Sequence, residues 1–211
     1  SFTIAVNPIP TVNAVANQTI CVGGSTTLVT PTGFVPGTVY NWTSSNTAIG
    51  LAASGTGNIP SFVTTNTGNT PISSTITITP TYTNGGVSCS GAPLTFTITV
   101  NPIPNVNSIN NQVICNGSTT TGVTFTGSVA GTVYNWSNTN AAIGLGTAGV
   151  GDIASFVTTN TTNATISGTI TATPVYTNAG LGCTGAATSF SIAVNPIPTV
   201  NAVTSQELCT G

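Results

Sequence analysis

Residues 95–104, TFTITVNPIP, decide how the rest of the chain is interpreted, because nearly the same ten residues stand at 1–10 (SFTIAVNPIP) and at 189–198 (SFSIAVNPIP). Phe96, Ile98 and Val100 alternate with threonines, which predicts a half-buried strand. The prolines that follow fix φ and remove backbone donors, which predicts that the strand ends there in a short, semi-rigid link. The unit is thus a strand followed by a junction, and it recurs.

The recurrence has a fixed period. VNPIP begins at Val6, Val100 and Val194, a spacing of 94 residues, and the two full copies share roughly 60 % of their residues, as in a tandem array. The sequence predicts four segments: 1–7 as the last strand of a preceding repeat, 8–101 and 102–195 as repeats, and 196–211 as the start of a further repeat. The predicted junction residues are Pro8, Pro10, Pro102, Pro104, Pro196 and Pro198.

The composition excludes several classes of function. The chain has no Lys, Arg or His and only two acids, Asp152 and Glu207. Without cations it lacks the main source of affinity for nucleic acids and for anionic membrane surfaces. No apolar run approaches the roughly 20 residues of a membrane-spanning helix. General acid and base chemistry also lacks its usual groups, so we expect no enzyme, no cofactor and no metal site. Neither acid is repeated at the period, so both are interpreted as solvated surface residues.

The chain should nevertheless fold, and as strands. Apolar residues make up 39 % of it, and the abundance of Thr, Val and Ile with Gly and Asn turns favours β-structure over helix. Tyr40 and Trp42, like Tyr134 and Trp136, stand two residues apart and so lie on the same face of a strand. They are predicted to pack in the core. Each period has room for about seven short strands and approaches the roughly 100 residues of an immunoglobulin-like domain. The predicted fold is all-β, with tandem β-sandwich domains forming an elongated rod.

The cysteines follow the same period and are predicted to form structural disulfides, which require an oxidising compartment. Cys21, Cys115 and Cys209 form one series, and Cys89 and Cys183 form the other. Three pairings fit the period: within a repeat (Cys21 with Cys89, Cys115 with Cys183), between successive cysteines (Cys89 with Cys115, Cys183 with Cys209), or across a junction (Cys21 with Cys183). The within-repeat pairing is preferred here, although a simple sandwich topology favours the third.

A set of short motifs carries a resemblance to a known family. They are VNPIP, then ICVGGS or ICNGST, VYNW, AIGL with GTGNI or GVGDI, ITITP, and GVSCSG or GLGCTG before the next junction. In combination they resemble the PKD-like, immunoglobulin-type repeats of long Bacteroidota surface proteins. The resemblance covers nearly the whole chain and implies a secreted adhesin or surface fibre, often exported by type IX secretion. It implies no catalytic residues.

Three functions remain open at the level of sequence. The first is a structural repeat of an extracellular filament that self-associates through uncharged surfaces, because sheet edges here lack the lysines that usually protect them. The second is the monomeric stalk of a giant adhesin whose binding domain lies elsewhere. The third is a glycan-binding or ice-binding module that uses the aromatic pairs or the threonine faces of the strands. The expected partners are copies of the chain or neighbouring repeats, with surface or glycan ligands as further candidates.

Overall fold

The computed structural model describes residues 2–211, and in them it contains twelve strands and no α-helix. The strands of the first repeat are β1 (Gln18–Cys21), β2 (Val39–Ser44), β3 (Ser54–Thr56), β4 (Ile72–Asn84), β5 (Val87–Ser90) and β6 (Leu94–Asn101). Those of the second are β7 (Gln112–Cys115), β8 (Val133–Asn138), β9 (Ala148–Val150), β10 (Ile166–Asn178), β11 (Leu181–Thr184) and β12 (Thr188–Asn195). Short 3-10 helices occupy Thr47–Ile49 and Ala141–Ile143. The predicted all-β class is confirmed.

Each repeat has one six-stranded sheet with the same strand order. The first sheet runs β1-β6-β4-β2-β3, with β5 also paired to β4, and the second runs β7-β12-β10-β8-β9, with β11 paired to β10. β1 pairs with β6 in parallel, and the other pairs of the first sheet are antiparallel. The three neighbours β6, β4 and β2 follow the G-F-C order of an immunoglobulin sheet. Each repeat is therefore a sandwich of immunoglobulin-like strand order.

The second layer of each sandwich is a pair of extended segments. Val29 bridges to Ile59 and Ser25 to Val63 in the first repeat, and the second repeat has equivalent bridges at Val123 and Thr119. The apolar face of the sheet packs beneath this pair. Ile76, Ile78, Ile98 and Val100 have at most 1 % of their surface exposed, and burying each of these side chains contributes about 2 kcal/mol. The alternating residues of the predicted strand therefore form the core, and its threonines line the outer face.

β4 and β10 are unusually long and carry a hairpin past the end of β6 or β12. The first part of β4 pairs with β6, from Ile72 opposite Val100 to Ile78 opposite Leu94. Its last four residues pair instead with β5, which places Tyr82 opposite Cys89. Gly91, Ala92 and Pro93 separate β5 from β6, and proline cannot donate to a strand ladder. The hairpin of residues 80–91, and its equivalent at 174–185, therefore extends as an arm past the end of β6 or β12, and in the first repeat its base at Pro80 and Thr81 also pairs with β2.

The chain divides into two compact units that do not coincide with the two repeats. Unit 1 comprises Ser1–Asn105, Gly127–Thr132 and Pro174–Gly185, and unit 2 comprises Val106–Thr126, Val133–Thr173 and Ala186–Gly211. The second hairpin thus belongs to the compact unit built around the first repeat. Residues 2–17 and 196–211 form no strand, so the strand predicted over residues 1–7 is absent from the described part of that segment.

Candidate functional site

The structural features that recur at the 94-residue period meet at one place in unit 1, which we call the junction site. It combines the end of β1, the linker of residues 101–105 and the hairpin of residues 174–185. Its members are Cys21, Asn101, Pro104, Asn178, Cys183 and Gly185, and all six lie in unit 1. None of them carries a charge, so the site is held together by a covalent bond, hydrogen bonds and close packing.

A disulfide joins Cys21 to Cys183, with the two Cα atoms 5.7 Å apart and a sequence separation of 162. The preferred within-repeat pairing is therefore wrong, and the junction-crossing pairing is the one formed. The physical reason is the hairpin arm: β11 pairs with the last four residues of β10, beyond the stretch of β10 that pairs with β12, so Cys183 lies past the end of β12. Only 1 % of Cys183 is exposed.

Two asparagines form a second link beside the disulfide. The Asn178 side-chain amide donates to Oδ1 of Asn101 at 2.8 Å, and the Asn101 amide lies 3.5 Å from the carbonyl oxygen of Asn178. Asn101 is fully buried, and a buried amide without partners would cost several kcal/mol. The pair therefore fixes where the hairpin sits against the end of β6. Asn105 extends the network by accepting from the backbone N–H of Ser128 at 2.8 Å.

Glycine at position 185 allows the linker to pass against the base of the hairpin. A Cβ placed on Gly185 would lie 1.7 Å from the carbonyl oxygen of Pro104, which no side chain can tolerate. The first repeat has the same close approach, with 1.8 Å between a Cβ on Gly91 and the carbonyl oxygen of Pro10. In both repeats, therefore, a glycine at the base of the hairpin allows the linker to lie in contact with it.

The first hairpin makes the equivalent asparagine pair but no disulfide. The Asn84 side-chain amide donates to Oδ1 of Asn7 at 3.0 Å, and the Asn7 amide donates to the carbonyl oxygen of Asn84 at 3.2 Å. Cys89, Cys115 and Cys209 are free thiols; Cys115 and Cys209 are exposed and Cys89 is partly buried. Of the five cysteines predicted to form disulfides, the structure brings together one pair.

The junction prolines differ in their surroundings. Pro102 and Pro104 are buried, Pro10 is also buried, and Pro196 is partly buried, whereas Pro8 and Pro198 are exposed. The buried ones belong to linkers that lie against a hairpin. Proline suits this position because the linker has no strand partner to which a backbone N–H could donate.

The aromatic pairs lie mainly in the core. Trp42 and Tyr134 are 4 % and 9 % exposed, and Tyr40 and Trp136 are partly buried against the same clusters. Tyr134 stacks on Phe125 with 5.6 Å between ring centroids. Burial raises the pKa of the Tyr134 phenol, and the nearby negative charge of Asp152 raises that pKa further. Neither pair presents two exposed rings on which a sugar could stack.

Asp152 has a local role that its lack of repetition concealed. It is exposed, but its carboxylate accepts the backbone N–H of Phe125 at 2.9 Å. The first repeat has Asn58 and Pro31 at the equivalent positions, and Pro31 has no N–H to donate. The acid therefore accompanies a donor that only the second repeat has. Glu207 is exposed, as expected.

A repeated glutamine was missed at the level of sequence. Gln18 caps the edge of β1 by accepting the backbone N–H of Thr27 at 2.9 Å, and Gln112 does the same with Thr121 at 3.0 Å. Each side chain also donates to the carbonyl oxygen of the same threonine. Each Gln side-chain amide thus makes the two hydrogen bonds, one accepted and one donated, that a neighbouring strand would make to the backbone of that threonine. The signal was available, because Gln18, Gln112 and Gln206 share the 94-residue period.

Neither a metal-binding cluster nor a membrane-crossing helix occurs in residues 2–211. No group of three or more His, Cys, Asp or Glu side chains is placed to hold a metal ion there. No helix in that range is long and apolar enough to cross a membrane. The chemistry available at the junction site is thiol–disulfide exchange and amide hydrogen bonding.

Comparisons with known proteins return distant structural similarity. No family model and no curated protein matches the chain. Among solved structures, it is similar to human protocadherin-24 EC1-2, with 13 % identity, a TM-score of 0.38, and coverage of 90 % of this chain and 100 % of that one. It is similar to the human desmocollin-1 ectodomain with 13 % identity and a TM-score of 0.32, over 89 % of this chain and 41 % of that one. It is similar to tandem Ig repeats of Dlar with 15 % identity and a TM-score of 0.26, over 88 % and 98 %.

The fold and the junction site define a class of protein. The chain is an all-β array of sandwich repeats with immunoglobulin-like strand order, in which a disulfide and an asparagine pair tie the hairpin of one repeat to the end of the other.

Proposed function

We propose that this chain is a structural segment of an extracellular surface fibre whose successive sandwich repeats are joined covalently. The observation that carries the proposal is the disulfide between Cys21 and Cys183, residues that belong to successive repeats. A bond at this position strengthens the linkage between repeats, whereas a bond within each sandwich would strengthen only the domain. Disulfides persist in oxidising, extracellular settings, which supports a secreted location.

The absence of cations and the near absence of acids suit such a fibre. Uncharged surfaces do not repel one another, so fibres built from this chain can pack side by side. Trypsin cleaves after Lys and Arg, and the chain has neither. The resemblance of the repeated motifs extends the proposal to a surface protein of Bacteroidota exported by type IX secretion.

A second candidate is the monomeric stalk of an adhesin, one molecule wide. The edges of the two sheets favour this candidate. β3 and β9 lie at the ends of their sheets and are three residues long, and short edge strands are one way in which natural sheets avoid pairing with other molecules. Beside the opposite edges of the sheets, Gln18 and Gln112 accept the backbone N–H groups of Thr27 and Thr121, so these groups do not pair with another molecule. Lateral association would then have to use sheet faces.

Electron microscopy of native, unreduced material separates the two candidates. We expect filaments thicker than one sandwich, with an axial repeat of about 44 Å, the length of the 13-residue strands β4 and β10. Isolated rods one sandwich wide would overturn lateral self-association and favour the stalk. Particles with no axial repeat would overturn both candidates.

A further inference from the structure

We propose that the outer face of the first repeat's sheet is a lateral interface between copies of this chain. We call this surface the threonine face. It carries the hydroxyl side chains that alternate with buried residues along β2, β4 and β6, namely Thr43, Ser73, Thr75, Thr77, Thr79, Thr95, Thr97 and Thr99. The occupant is a second copy that presents the same face. The inference rests on the fibre function proposed above and deepens it, because it names the surface through which fibres pack side by side.

The strand register places these side chains next to one another. Thr75 of β4 lies opposite Thr97 of β6. Thr77 of β4 lies between Thr95 of β6 and Thr43 of β2. Because directly opposite residues on neighbouring strands have their Cβ atoms about 5 Å apart, the hydroxyl and methyl groups form a continuous two-dimensional array.

The hydroxyl groups make the threonine face complementary to itself. A hydroxyl donates one hydrogen bond and accepts two, so two identical faces can bond to each other without any charged partner. Ser73 and Thr99 make this type of contact within one face, with 2.9 Å between their hydroxyl oxygens. A surface that pairs with its own copy does so about a twofold axis, the commonest symmetry of protein dimers.

The free-energy cost of covering this face is low. None of its side chains is charged, so no ion loses its hydration when a second copy arrives. Threonine is β-branched and stiff at χ1, so its burial loses less side-chain entropy than the burial of lysine or glutamate. The methyl groups leave water on contact, which favours association.

The face has the area of a weak but specific contact. Its middle strand, β4, has β6 and β1 on one side and β2 and β3 on the other, and neighbouring strands lie about 4.8 Å apart. Two such faces together cover roughly 1,000 Å², the lower limit for a specific interface. Twisted sheets pack face to face with their strands about 30° apart. A contact of this size is weak alone and gains strength through repetition along a fibre.

The equivalent face of the second repeat is poorer in threonine. Thr43, Thr95, Thr97 and Thr99 correspond there to Ser137, Ser189, Ser191 and Ala193. The serines lack the methyl group, and the alanine also lacks the hydroxyl group. The interface is therefore assigned to the first repeat, and the second repeat provides a matched control within the same chain.

The test is sedimentation velocity of the 211-residue chain, oxidised to form Cys21–Cys183 and then treated with iodoacetamide to block the remaining thiols. We expect a reversible dimer in a concentration series up to about 1 mM. Thr75 is the middle residue of the seven in β4 that pair with β6, so it lies near the twofold axis. T75K should weaken the dimer at least about tenfold, because like charges then face each other. T169K, the equivalent change in the second repeat, should leave the dissociation constant unchanged within about twofold.

A charge exchange separates loss of the interface from loss of the fold. T75E alone should also be monomeric, and a mixture of T75K and T75E should dimerise again because opposite charges then meet. A parent chain that stays monomeric with Cys21–Cys183 formed, equal losses in T75K and T169K, or a mixture that stays monomeric would overturn this inference and leave the covalent fibre standing. A chain that dimerises without forming Cys21–Cys183 would overturn the fibre proposal alone.

Discussion

The two hairpin arms have nearly the same sequence and strand register but different surroundings. In both, the cysteine lies opposite a tyrosine and the turn asparagine binds a junction asparagine. Cys183 is bonded and almost fully buried, whereas Cys89 is a free, partly buried thiol. The difference arises because the second arm rests against the first repeat. The local sequence builds the arm, and a neighbouring repeat completes the site.

The largest expected effect comes from removing the bond that distinguishes the arms. Chemical denaturation of C21S/C183S should show a loss of about 5 kcal/mol, the chain-entropy value for the 162-residue separation. C89S, the equivalent change in the other arm, should leave stability unchanged within about 0.5 kcal/mol. Equal losses in the two proteins would show that the arms do not differ as described.

The glycine at the base of each arm tests what the arms share. G185A and G91A should each destabilise the chain by roughly 2 to 3 kcal/mol, because the added methyl group meets a linker carbonyl oxygen. G182A is the matched control in the same arm, since a Cβ there makes only ordinary contacts at 3.6 and 3.7 Å. A neutral G185A would mean that the linker does not lie against the arm.

The hydrogen bond from the Phe125 N–H to the Asp152 carboxylate is present in the second repeat and has no equivalent in the first. D152A should cost about 1 kcal/mol in thermal or chemical unfolding, because it leaves a partly buried N–H without its acceptor. N58A, the equivalent change in the first repeat, should be close to neutral because Pro31 has no N–H. If N58A lowers the free energy of unfolding as much as D152A does, the hydrogen bond to Phe125 does not explain why the second repeat has an aspartate at this position.

The smallest expected effect lies in the turns. Ala179 has a φ of +49°, where the first arm has Gly85 at +58°. A179G should stabilise the second arm by up to about 1 kcal/mol, since glycine adopts this conformation without strain and a two-residue hairpin turn requires it. G85A should be unfavourable by a similar amount. Hydrogen exchange of the flanking amides would report either change.

Much of the fold could be predicted from the sequence, because strand alternation is a local property. Phe96, Ile98 and Val100 form the buried face of β6 as the pattern indicates. The pairing of Cys21 depended on where the second hairpin lies relative to the end of β1, a contact between distant parts of the chain that strand alternation does not encode. The asparagine pairs were likewise hidden, since Asn and Thr are common throughout and only the structure shows which of them meet.

The most direct test of the covalent link between repeats is to stretch single molecules by their ends, with and without reductant. With Cys21–Cys183 intact, only the 20 residues before Cys21 and the 28 after Cys183 can extend, roughly 170 Å in total. Reduction should release the enclosed segment and add roughly 570 Å. We predict this redox-dependent gain in C89S as well and its absence in C21S/C183S, which should extend fully without reductant. Full extension of the oxidised parent chain would contradict the account.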